Sequence, residues 1–139
     1  MIILDTNVIS EPLKPRPDPA VIRWLDAQHS DTLYVTAVTL SEALIGVALL
    51  PVGRRKRGME LAMQSLMVEL FANRFLSFDR EAAVAFALLG SRAAAKGYGI
   101  STADCQIAAI AAVHGFEVAT RDIAPFIAAG VPVIDPWRS

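Results

Sequence analysis

Five short apolar runs separated by longer segments of helical spacing decide what this chain of 139 residues can fold into. They are Met1 to Leu4, Leu33 to Thr36, Phe75 to Phe78, Val118 to Thr120 and Val131 to Ile134. Runs of this kind read as strands, and strands alternating with helices predict parallel pairing through crossover helices. The expected fold is a doubly wound α/β sheet. No Ser/Gly-rich tract or long charge run marks a linker, so residues 1–139 are expected to form one domain.

The helical segments are Pro19 to Gln28, Thr39 to Leu50 stopped by Pro51, Met59 to Ala72, Glu81 to Lys96 ended by Gly97 and Gly99, Ser101 to His114 ended by Gly115, and a short Ile123 to Ala128. Met59, Met63, Leu66, Met67 and Leu70 fall on one stripe, which reads as core, with a partner surface as the alternative. Both histidines, His29 and His114, read as helix-end residues.

Apolar residues make up 54% of the chain and mean hydropathy is +0.44, a surplus that predicts a partner on some face. The longest apolar stretch, Ala43 to Gly53, has 11 residues and contains Pro51, too short for a spanning helix of about 20. Asp5 arrives too early for a secretory leader, and the lone Cys105 has no disulfide or zinc partner. A reducing cytoplasm is the expected setting. The formal charge of −1 becomes +3 once four acids are set aside, a mildly basic rim around an acidic hole.

Those acids are Asp5, Glu42, Asp104 and Asp122, and each borders core-forming sequence. An ionised carboxylate there is costly unless it is paired, hydrogen-bonded or bound to a metal. Helix capping offers an ordinary explanation for each one. Thr39-Leu40-Ser41-Glu42 matches a capping box, Ser101-Thr102-Ala103-Asp104 nearly does, and Asp122 reads most readily as an N-cap. Together they say more, because strand C-termini in an open parallel sheet share one crevice. Four carboxylates converging there would repel one another unless cations neutralised them, and hard Mg²⁺ or Mn²⁺ ions prefer oxygen ligands. Such a site suits phosphodiester hydrolysis by water. Nucleophilic Ser or Cys catalysis lacks a placed histidine, and no Gly-rich phosphate loop is present.

Asp5-Thr6-Asn7 after the first strand, Glu42, Thr102-Ala103-Asp104 and Thr120-Arg121-Asp122 resemble the PIN-domain ribonucleases over the whole chain. Leu4 to Pro12 and the terminal Asp135-Pro136-Trp137 look more narrowly like VapC-type toxins of the FitB subgroup. The resemblance implies a five-stranded parallel sheet, a Mg²⁺ or Mn²⁺ site, RNA cleavage, a homodimer and a cognate VapB-type antitoxin. It further implies that Asp5, Glu42, Asp104 and Asp122 hold metal directly or through water, with Thr6, Asn7 and Thr120 orienting them.

Arg54-Arg55-Lys56-Arg57 is the one dense basic run, and with Lys14 and Arg16 it is a candidate phosphate contact or simply a solvated helix start. Arg121, beside Asp122, is expected either to hold a phosphate or to pair with an acid. Two other functions remain open from the residues. One is a receiver-like domain phosphorylated on Asp79, although Asp79-Arg80-Glu81 also reads as a helix N-cap; the other is a non-catalytic binding module on the same fold.

Overall fold

In the computed structural model, which describes residues 1–139, the apolar runs become β1 (Ile2–Leu4), β2 (Leu33–Thr36), β3 (Phe75–Leu76), β4 (Glu117–Ala119) and β5 (Val133–Ile134). All pairings are parallel, and the sheet order is β3-β2-β1-β4-β5. The chain leaves β1 in one direction to reach β2 and β3, then returns to β4 and β5 on the other side. The switch point therefore lies between β1 and β4, where the strand ends open a crevice.

Helices cover both faces: α1 (Thr6–Ser10), α2 (Pro19–Asp26), α3 (Ala37–Ala48), α4 (Arg54–Ser65), α5 (Arg80–Ala95), α6 (Thr102–His114) and α7 (Ala124–Ala129). Alternate residues of the central strands serve opposite cores, as a strand's period of two requires. Ile3 and Val118 join a cluster with Leu89, Ile107, Ile110 and Phe126, whereas Leu4 and Ala119 join Val8, Val21, Val35 and Phe71. The doubly wound expectation and its five parallel strands are what the structure has.

Helix α6 is the most deeply buried element, with Ile107 to Ala111 without exposed surface, and its alanines let α5 approach closely. Gly90 on α5 meets Cys105 at the tightest point, where an added Cβ would stand 3.5 Å from Sγ. Gly130 ends α7 at φ 83°, with the Arg92 guanidinium bonded to Ala129 O beside it, so a side chain there would meet strained backbone and a cation together.

Several elements depart from expectation. Helix α4 begins at Arg54 rather than Met59, so the basic run forms its first turn, and the helix runs on into a π-helical turn, Leu66–Leu70. The methionine stripe is only partly core: Met63 is buried, Leu66 and Met67 are half-buried, and Leu70 is 50% exposed. Helix α2 stops at Asp26, which leaves His29 outside it, where its carbonyl accepts from Thr32 Oγ1 at 2.6 Å at the start of a 3-10 turn. The short α1 and the 3-10 turn Glu11–Leu13 have no counterpart in the sequence pattern. No helix is long and apolar enough to cross a membrane.

Candidate active site

Asp5 follows the last residue of the central strand, so the sheet carries its carboxyl into the crevice with only 6% of the residue exposed. Oδ1 accepts from Thr6 N at 2.8 Å and Oδ2 accepts from Thr120 Oγ1 at 2.8 Å. Thr120 Oγ1 also accepts from Asn7 Nδ2 at 3.3 Å and from Asp122 N at 3.1 Å. Asn7 Oδ1 in turn accepts from Arg121 N at 3.2 Å. The residues after β1 and those after β4 are thus stitched together around one carboxylate.

Glu42 reaches the same neighbourhood from α3, where Thr6 Oγ1 donates to its Oε1 at 3.1 Å. It is not a cap. Thr36 caps α3, accepting from Thr39 N at 3.0 Å, and Glu42 lies a turn further on. Asp122 is not a cap either: Ile123 holds the N-cap position of α7 without a side-chain bond. Asp104 sits in the first turn of α6, whose cap is Ser101, with Ser101 Oγ accepting from Asp104 N at 3.1 Å. Capping therefore accounts for neither Glu42 nor Asp122 and for Asp5 only in part, whereas Asp104 keeps the first-turn place in the near-box that Ser101 begins.

Electrostatics link the four. Burial pushes the Asp5 carboxyl above its ordinary range, the bonds from Thr120 and Thr6 hold it down, and the charges of Asp104 and Glu42 raise it again. Burial likewise raises Asp104, opposed by its bond to Ser101 and reinforced by the charge of Asp122. Neither ion pair in the structure, Lys14 with Glu11 or Arg138 with Asp135, touches any of them. The crevice gathers oxygen donors, none of them in an ion pair, the donor chemistry that suits a hard divalent ion. No three of these groups are close enough together to form a ligand set as they stand. Glu42 and Asp122 are exposed, and Glu42 is held only by its bond from Thr6.

The basic residues divide. Arg121 pairs with no acid, and its guanidinium lies over the Trp137 ring, 5.3 Å from the centroid. Lys56 Nζ donates to Ala48 O at 3.0 Å and ties α4 to the end of α3, while Arg54, Arg55 and Arg57 face solvent. Lys14 is engaged by Glu11 at 2.8 Å. Glu11 has no role in the sequence pattern beyond its place in the Leu4 to Pro12 motif. It is a buried carboxylate that also accepts from Asp18 N at 2.9 Å and so fixes the entry to α2. Asp79 caps α5, accepting from Ala82 N at 3.0 Å, and lies after the edge strand β3, away from the switch point. The residue that the receiver-like reading would phosphorylate is thus already used as a helix cap at the sheet edge.

An apolar groove of about 480 Å³ runs between α1, α2 and the end of α4, lined in part by Val8, Leu13, Leu25, Leu66, Leu70 and Phe71.

A doubly wound parallel sheet with acids gathered at its switch point defines a class, and the PIN domain family model matches residues 2–130, so the chain belongs to the PIN-domain family. Within it, the chain is 46% identical to VapC ribonuclease Y4jK of Sinorhizobium fredii over 138 residues, covering 99% of both chains. It is 44% identical to toxin FitB of Neisseria gonorrhoeae with the same coverage. The crystal structure of FitAcB from Neisseria gonorrhoeae superposes with a TM-score of 0.95 at 44% identity, over the full length of both chains. The chain thus stands among the VapC and FitB relatives, as its motifs led us to expect.

Proposed function

We propose that the chain is the toxin of a toxin–antitoxin pair and acts as a Mg²⁺- or Mn²⁺-dependent endoribonuclease. The observation that carries this reading is the buried Asp5 carboxylate at the switch point, fixed by Thr120 and Thr6, with Glu42 tied to the same Thr6 and none of the four acids in an ion pair. The names of the relatives, a VapC ribonuclease and a toxin, support it. A bound divalent ion would supply the missing positive charge, acidify water and stabilise the anionic transition state of phosphodiester hydrolysis.

Asp5 and Asp104, the more buried of the four, would hold the ion together with the exposed Glu42 and Asp122. Thr120 and Thr6 fix the Asp5 carboxylate, Thr6 also holds Glu42, and Asn7 ties the two loops. Arg54, Arg55, Lys56 and Arg57 offer positive charge to the RNA backbone. A VapB-type antitoxin is the cognate partner, in keeping with the solved FitAcB complex. The apolar groove between α1, α2 and the end of α4 is the surface that suits it, and a homodimer in a reducing cytoplasm completes the reading.

The open spacing of the carboxylates favours one other reading, a non-catalytic PIN-fold module acting through its partner. Induced expression separates the two. Asp5→Asn is expected to abolish metal-dependent RNA cleavage and growth inhibition while leaving the circular dichroism spectrum unchanged. Equal toxicity of wild type and Asp5→Asn would refute the nuclease.

A further inference from the structure

The chain does not stop at β5. Residues after Ile134 turn back toward the crevice, with Asp135 Oδ1 accepting from Trp137 N at 2.9 Å and Asp135 O accepting from Arg138 N at 3.1 Å and from Ser139 Oγ at 2.8 Å. Pro136 is fully buried, and Trp137 packs half-buried against the cluster that contains Leu4 and Val8. This well-braced turn presents one indole face, and the group over that face is the Arg121 guanidinium.

Arg121 is fixed at both ends. Its backbone N–H donates to Asn7 Oδ1, and it stands between Thr120, bonded to Asp5, and Asp122. Its side chain is exposed and forms no ion pair. The nearby Glu11 carboxylate feels the Arg121 charge but is already bonded to Lys14 and to Asp18 N. A guanidinium supported on an aromatic face keeps its N–H donors for another acceptor, and its planar fork matches a phosphate.

We propose that Trp137 is a positioning residue that holds Arg121 as a phosphate clamp at the rim of the crevice, with a phosphate of the RNA strand as its ligand. The inference rests on the nuclease reading for the identity of the strand. It assigns the C-terminal turn a part in substrate binding that the four carboxylates do not fill. Leucine at position 137 would still fill space but offer no π face, whereas phenylalanine would keep one.

The test measures binding of a fluorescein-labelled single-stranded RNA by anisotropy across a salt series, all in the inactive Asp5→Asn chain. Arg121→Gln is expected to weaken binding about tenfold and to flatten the salt slope by about 0.7, as loss of one phosphate contact does. Trp137→Leu is expected to weaken binding about threefold with the salt slope unchanged, because the charge remains. Trp137→Phe restores binding to near the starting value, and the double variant Arg121→Gln/Trp137→Leu binds no more weakly than Arg121→Gln alone. Trp137→Leu binding as tightly as its parent, or losses that add in the double variant, would overturn the clamp. Cleavage by the chain with Asp5 intact is read in parallel. Its absence alongside a coupled Arg121–Trp137 pair sinks the nuclease reading and keeps the clamp; Asp5-dependent cleavage with an uncoupled pair sinks the clamp and keeps the nuclease.

Discussion

Replacing Thr120 with valine tests the arrangement around Asp5 most directly. The Thr120 hydroxyl is used to capacity, donating to Asp5 Oδ2 and accepting from Asn7 Nδ2 and Asp122 N, and the residue has no exposed surface. Valine keeps the shape and removes the oxygen. A hydrogen bond to a charged group contributes about 1.5–3 kcal/mol and a neutral one about 0.5–1.5 kcal/mol. Water can replace the bond at Asp122, which is exposed, so the net loss comes to about 3 kcal/mol. With an unfolding entropy of about 2.1 cal/mol/K per residue over 139 residues, this lowers Tm by about 10 °C. Thr120→Ser should recover most of the loss, since it restores all three bonds. The assay is calorimetric melting of the metal-free chains at neutral pH, with urea midpoints as a second measure. A Thr120→Val chain that melts within about 2 °C of wild type would mean that the hydroxyl does not hold Asp5.

Glu11 supplies a pH-dependent prediction. Its bonds to Lys14 and to Asp18 N hold its carboxyl below the ordinary 4.5, so its stabilisation is present above that value and is lost as the pH falls through the depressed one. Glu11→Gln should therefore lower the urea midpoint at pH 7, with a gap that closes on acidification; a constant gap across the series would refute the linkage. In the apolar groove, Leu70→Arg places a charge on a wall that is already 50% exposed, so the fold should be kept while antitoxin affinity falls about tenfold or more. Unchanged affinity by titration calorimetry would exclude the groove as the docking surface.

Much of the architecture is legible in the residues because buried parallel strands leave a blunt signature, and Ile2 to Leu4 or Leu33 to Thr36 can hardly be read otherwise. Helix starts were harder to read. Thr36 ends β2 and caps α3 at once, so no loop separates them, and the plausible box from Thr39 to Glu42 lies one turn too late. The start of α4 was hidden because Arg54 to Arg57 carry no apolar period, although nothing in them opposes a helix. With the cap positions taken by Thr36 and Ile123, Glu42 and Asp122 lose their ordinary explanation, and Asp122, the acid most readily dismissed from sequence, gains the most. The Arg121–Trp137 contact could not be found from spacing, because it joins the turn after β4 to the turn after β5 through a side-chain stack with no periodic trace.

The two ends of the chain sit at opposite poles of the central strand pair. Met1 enters β1 at the end of the sheet away from the crevice, whereas Trp137, two residues before Ser139, lies against the site itself. Anything joined ahead of Met1, such as an affinity handle, a fluorescent reporter or a surface tether, emerges on the far side of the protein. The same addition after Ser139 starts beside the acidic crevice, so the choice of terminus decides whether a tagged preparation reports on the site or on its own obstruction.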